Sequence, residues 1–171
     1  MNIRIAKISD AENLRNLTEV TFRDKYTVFN TPENMEMHVQ KYFGLDKISS
    51  EIEDAQIKYF VVENGQQLIG YAKLAIESKA ENLVAKKPVE IQRFYVHQDF
   101  QGRKIGQKLM ETVIDWAKNN DFDVVWLGAW ENNPDALRFY QRLGFEIFGK
   151  HTFLLGEDVQ NDFTMKKEIF P

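Results

Sequence analysis

Apolar positions recur along this chain with two periods, and the switches between them mark out the elements. Residues 3–8, IRIAKI, alternate and predict a first strand. SDAE follows, with Ser9 as the expected N-cap and Glu12 at the capping-box position; Leu14, Leu17 and Val20/Thr21 then predict a helix to about Phe22. NTPENMEMHVQKYF opens a second helix, capped by Thr31 with Pro32 in its first turn, and a short third helix covers Asp46 to Asp54. IKYFVVE, Asn64-Gly65 and QLIGYAKLAI read as a hairpin, because Asn-Gly suits the tightest turns.

Residues 77–88 form a polar loop, and VEIQRFYVH is the next strand. The helix after it places Ile105, Leu109, Val113 and Trp116/Ala117 on one face. DVVWLGAW is dense enough in apolar residues for a central strand, and NPDALRFYQRLGF is a helix closed by Gly144. FEIFGKHTFLL and DFTMKKEI are two last strands joined by a polar turn. The order β-α-α-α-β-β-β-α-β-α-β-β predicts one α/β domain, residues 1–171, with a mixed sheet.

Composition narrows the chemistry. Hydrophobic residues at 43% and a mixed 28% of charged ones fit a globular chain. The net charge of −4 disfavours nucleic acid as a partner and suits a cationic one, with Glu33 and Glu36 on the second helix together with Glu90 as candidate acids to hold it. With no cysteine there is no disulfide and no thiol nucleophile, and the scattered His38, His97 and His151 lack metal-ligand spacing, so no metal is expected. No apolar run matches a membrane span, and MNIRIAKISD lacks a signal-peptide core, so the expectation is a cytoplasmic protein, monomer or homodimer, that does not engage membranes.

The stretch FYVHQDFQGRKIGQKLMETVIDWA carries most of the functional information. A strand running into a glycine loop and then a helix offers several backbone N–H groups to one anion, and the helix dipole favours a phosphate there. Gly102 and Gly106 permit close approach, while Arg103 and Lys104 add positive charge. An ordinary strand–helix turn with solvated basic residues would use the same pattern. The loop is not G-x-x-x-x-G-K-[ST], nor a G-x-G-x-x-G at a first strand.

YVHQDFQGRKIGQKLM resembles the acyl-CoA-binding motif of the GNAT N-acetyltransferases, Gln/Arg-x-x-Gly-x-Gly/Ala, with Gln101 and Gly106 in register and Lys104 standing where the family usually has glycine. NPDALRFYQRLGF is similar to the family's Asn-x-x-Ala-x-x-x-Tyr-x-x-x-Gly-Phe helix, matching at Asn133, Ala136, Tyr140, Gly144 and Phe145. TPENM near residue 31, VWLGAWENN and GKHTFLLGEDVQNDFTMKK resemble the PaiA-type spermidine/spermine N-acetyltransferases of bacteria.

The resemblance implies the GNAT fold, a mixed central sheet of about seven strands flanked by helices, with acetyl-CoA as co-substrate and a primary amine, such as a polyamine, as acceptor. It implies that residues 101–107 (Gln101, Gly102, Arg103, Lys104, Ile105, Gly106 and Gln107) hold the pyrophosphate. Backbone groups of Phe94, Tyr95 and Val96 would bind the pantetheine arm, and Asn133 would contact the cofactor. Tyr140, protonated at neutral pH with an ordinary pKa of about 10, would donate to the departing thiolate; read without the motif, it is a core aromatic.

Glu90 is the candidate base, since an alkyl ammonium with a pKa of about 10.4 must lose a proton before attack. Amid apolar strand residues its pKa would rise; as a solvent-facing residue it would share one face with Gln92 and Phe94 by period two. Asn133 also reads as an N-cap. Transfer would be direct, in a ternary complex, because no cysteine can carry the acetyl group. The alternatives are another acceptor amine (a peptide N-terminus or a drug amine) or a non-catalytic acyl-CoA-binding regulator.

Overall fold

In the computed structural model, which describes residues 1–169, seven strands form one mixed sheet. The strands are β1 (Asn2–Ile5), β2 (Ile57–Asn64), β3 (Gln67–Ile76), β4 (Pro88–Val96), β5 (Val124–Trp130), β6 (Glu146–Leu155) and β7 (Asp158–Glu168). Their order across the sheet is β1-β2-β3-β4-β5-β7-β6. All neighbours are antiparallel except β4 and β5, which run parallel. The helices are α1 (Ala11–Tyr26), α2 (Pro32–Tyr42), α3 (Leu45–Glu53), α4 (Ile105–Asn119) and α5 (Pro134–Arg142).

On one face, α4 buries Leu109, Val113 and Ala117, and Phe145 follows just after α5, against Leu74, Val89, Ile91 and Leu127. On the other, Leu14, Leu17 and Ile48 of α1 and α3 cover Tyr59, Val61 and Tyr71. A third cluster joins Phe22, Met35, Val39 and Phe43 to Leu155 at the end of β6. No helix among the described residues is long and apolar enough to cross a membrane.

The parallel pair positions the site. β4 and β5 pair only from Pro88↔Val124 to Ile91↔Leu127, although β4 runs on to Val96 and β5 to Trp130. β4 carries an extra residue there: against β3, Lys73 faces Arg93 and Leu74 faces Ile91, leaving Gln92 as a bulge. A bulge bends its strand and resets the alternation of side chains. Glu90, Arg93 and Tyr95 therefore share the α1 face with their partners Ala75, Lys73 and Tyr71, while Ile91, Phe94 and Val96 face α4. The expected common face of Glu90, Gln92 and Phe94 does not form, because strict period two fails at the bulge.

Other expectations shift, and the first strand, expected over residues 3–8, ends at Ile5. Ser9 does not cap α1: the chain makes one 3₁₀ turn first, and Asp10 accepts the Lys7 N–H at 2.7 Å and two bonds from Arg4 at 2.7 and 2.9 Å. α1 continues one turn past Phe22 to Tyr26, whose ring packs on Phe22 and Trp130. The last hairpin turns at Gly156-Glu157, with Leu155 opposite Asp158, so the polar DVQN belongs to β7 rather than to a turn. Thr31 caps α2 as expected, accepting from the Asn34 N–H.

Candidate active site

Where β4 and β5 part, a cavity of about 730 Å³ opens through the sheet. Its α4/α5 side is lined by Phe94, Val96, Gln101, Asn133, Ala136 and Tyr140, and its α1 side by Tyr26, Glu90, Arg93, Trp130, His151 and Asp162.

The glycine loop has a backbone geometry that an anion could use. Gly102 (φ +74°) and Lys104 (φ +60°) both lie in the left-handed region, so the family's usual glycine at the second position has a backbone reason. A lysine there carries a conformational cost of about 1–2 kcal/mol. The first helical bond of α4 runs from Lys108 N–H to the Lys104 carbonyl, and the first-turn N–H groups of Ile105, Gly106 and Gln107 point out of the helix end. Ile105 is buried and pins the turn to the core, while Arg103 and Lys104 are exposed. At Gly106 an added Cβ would already touch Phe139 at 3.5 Å and Phe94 at 3.8 Å. Gln101 donates to the Val96 carbonyl at 3.0 Å and ties the loop to the end of β4. The Gln107 amide turns along the helix to Glu111.

Beyond Ile91 the β4 edge toward β5 has no strand partner, so Phe94, Tyr95 and Val96 can offer backbone groups to an extended ligand there. Asn133 accepts both the Ala136 N–H at 3.3 Å and the Lys25 ammonium at 3.0 Å. It is an N-cap that also lines the cavity.

Tyr140 is 9% exposed, packed edge-on against Phe94 and Phe145. Burial, and then the nearby Tyr26, push its hydroxyl above the usual phenol range, so it holds its proton at neutral pH. Glu90 is half-buried in polar rather than apolar surroundings: its Oε2 accepts from Ser78 at 2.6 Å and from Gln92 at 3.3 Å. Loop 77–88 thus backs Glu90, while residues 22–40 supply Tyr26 and His38 to the cavity wall.

The sequence reading missed Asp162, His151, Tyr26 and Arg93. Asp162 is 8% exposed, and its Oδ1 has no hydrogen-bond partner. Burial pushes its pKa up to about 6, with His151 opposing and Glu131 adding to the rise. Arg93 lies over the Phe43 ring and donates to the Tyr59 hydroxyl at 3.3 Å. Deeper in, Glu51 accepts from Lys73 at 2.7 Å and Tyr59 at 2.6 Å; burial and Arg93 pull Lys73 down to about 8. Register could have found His151 and Asp162, because a turn at 156–157 places them opposite each other. No group of three His, Asp or Glu side chains suited to a metal occurs among the described residues.

The model of the acetyltransferase (GNAT) family matches residues 14–145, which include the splayed strands, the glycine loop and α5. The chain belongs to this family. It is a GNAT N-acetyltransferase, an acetyl-CoA-dependent enzyme that acts on an amine.

An uncharacterized N-acetyltransferase of Lactobacillus delbrueckii subsp. lactis is 31% identical over 169 residues, 98% of each chain. The spermine/spermidine N(1)-acetyltransferase of Bacillus subtilis is 29% identical over 87 residues, 50% of this chain and 57% of that one. Among solved structures, the PaiA N-acetyltransferase of Thermoplasma acidophilum in complex with coenzyme A superposes with a TM-score of 0.79. The match covers 99% of this chain and all of that one at 23% identity, and it establishes the fold. The left-handed loop, the free α4 donors and the unpaired β4 edge fit an acyl-CoA.

Proposed function

We propose that this GNAT enzyme acetylates a primary amine of a polyamine, such as spermidine or spermine, with Tyr140 as general acid and Glu90 as general base. The observation that carries the catalytic reading is Tyr140: a buried, protonated phenol at the rim of the gap between β4 and β5. Residues 101–107 would hold the pyrophosphate, Phe94, Tyr95 and Val96 the pantetheine arm, and Asn133 would sit beside it.

Acetyl-CoA supplies an activated acetyl thioester whose sulfur departs as a thiolate. Glu90, directly or through one water, takes a proton from the substrate ammonium and frees the nitrogen lone pair for attack. A backbone N–H on the open edge of β4 faces the negative charge that builds on the carbonyl oxygen. As the carbon–sulfur bond breaks, the Tyr140 hydroxyl gives its proton to sulfur, and the surplus proton left on the attacking nitrogen passes through solvent to restore the phenol, so that a neutral amide and a thiol leave. No acetyl-enzyme is needed, and no cysteine is present to form one.

The polyamine reading is supported by the net charge of −4, by carboxylates on the cavity wall and by the half-length similarity to the Bacillus subtilis enzyme. Glu33 and Glu36 do not serve it. Neither lines the cavity, and Glu36 is bound outside it by Arg23 at 2.9 Å and by Gln40. Arg93 favours a second reading, a peptide N-terminus whose main-chain carbonyls would meet the guanidinium on the cavity wall.

Thiol release with spermidine, a monoamine of similar length and a short peptide decides between them. Spermidine should show the largest kcat/KM at low salt. Tyr140→Phe should lower kcat about 100-fold with CoA affinity unchanged. A monoamine or peptide turned over as well as spermidine would end the polyamine reading, and full activity of Tyr140→Phe would reduce Tyr140 to a packing residue.

A further inference from the structure

Asp162 presents an unusual demand. Its carboxylate lies on the wall of the cavity and is almost wholly buried, yet one oxygen has no donor. The other oxygen is 3.9 Å from His151 Nε2, too far for a hydrogen bond. A buried acceptor left unpaired is costly, and such groups in native proteins call for a partner that the free chain does not supply.

The other acidic groups of the cavity are provided for. Glu51 is held by Lys73 and Tyr59, and Glu90 by Ser78 and Gln92. Of the cations, Lys73 is bound to Glu51 and Lys25 to Asn133. Space is kept open around the Asp162 carboxylate by Gly128, where an added Cβ would meet Asp162 Oδ2 at 3.1 Å and the His151 ring at 2.6 Å.

The position is also apt. Asp162 pairs with Trp130 and Glu90 with Trp126, so the two carboxylates lie on one face, four residues apart along β5. That is about 13 Å along the strand. The gap between β4 and β5, which opens beyond Ile91↔Leu127, lies between them.

We infer that Asp162 is a subsite for a second, non-reacting alkylammonium group of the acceptor, held while another amine reacts at the gap beside Tyr140. This rests on the polyamine reading and adds to it the group that would confer the preference. The groups facing Asp162 are His151 from β6, Glu131 just beyond β5 and Tyr26 from α1. Burial raises the carboxyl to about 6, so the subsite is charged at neutral pH and loses its charge below that.

The test compares 1,8-diaminooctane, long enough to span from the gap to Asp162, with n-octylamine at saturating acetyl-CoA, low salt and pH 5.5 to 8.5, in the wild type and in Asp162→Asn. In the wild type the diamine should have a kcat/KM roughly ten- to a hundredfold above the monoamine at neutral pH, the scale of one charge-assisted contact. That advantage should fall away below pH 6. Asp162→Asn should raise KM for the diamine by the same factor, leave n-octylamine within about threefold, and show no advantage at any pH. Asp162→Glu should restore part of it.

A diamine advantage that persists in Asp162→Asn overturns the subsite and leaves the polyamine reading standing. Equal losses for both amines, or a loss in kcat alone, overturn it as well, since a structural or proton-transfer role would produce either. A wild type with no diamine advantage overturns the reading and the subsite together.

Discussion

At the scale of single residues, the proposed roles ask opposite things of two buried acids. Tyr140 must stay protonated, and burial among Phe94, Phe139 and Phe145 raises its hydroxyl to that end. Asp162 must be ionised to hold a cation, and burial works against it. Its folded pKa of about 6 lies above the ordinary carboxylate value, so between the two values the native state binds the extra proton. Stability must therefore fall as pH rises through that window and stay lower above it, by on the order of 2–3 kcal/mol. Asp162→Asn should melt at a higher temperature than the wild type at pH 7.5 and at the same temperature near pH 4; identical melting at both would show that the carboxylate bears no burial cost. Tyr140 and Glu90 could be read from local motif context, whereas Asp162 could not. The residues before it, Gln160 and Asn161, are polar, and only the pairing of β7 with β5 and β6 puts it indoors.

At the scale of elements, the decisive feature is one surplus residue. Gln92 bulges from β4, and the pairing with β5 stops at Ile91↔Leu127. Deleting Gln92 would leave Glu90, Ile91 and Arg93 in regular alternation, each on its present face, but would remove the bend. The deletion variant should fold with native-like circular dichroism and bind CoA at least tenfold more weakly in calorimetry. Unchanged affinity would mean that the bulge does not set the gap. The helices and strands themselves follow from periodicity and capping: Thr31 caps α2, Asn133 caps α5 and Gly144 (φ +85°) closes it. Departures occur where tertiary contact outweighs local preference. α1 runs on to Tyr26 because that ring packs against Trp130, and the β2–β3 turn uses Gly65-Gln66 because Asn64 pairs with Gln67.

At the scale of the whole molecule, the chain's negative charge and the cavity's mixed lining act over different ranges. A net charge of −4 draws a polycation from a distance, and salt screens it over about 8 Å at physiological strength. The advantage of spermidine over a monoamine should therefore shrink from low salt to 0.5 M salt without vanishing, because the buried Asp162 is screened less. Kinetics with both acceptors at the two salt concentrations check this, and a preference indifferent to salt would remove the long-range term. By itself the sequence determined the order of elements, the mixed seven-stranded architecture, the glycine loop and the Tyr140 helix, because each depends on residues close together along the chain. The tertiary structure alone decided which carboxylates share the cavity. It excluded Glu33 and Glu36, turned Phe94 away from Glu90, and brought Tyr26, Arg93, His151 and Asp162 together from α1, β4, β6 and β7. The physical reason is that a face of a sheet is assembled by strand order and register, so a single bulge or a turn displaced by two residues changes its membership without changing any local pattern.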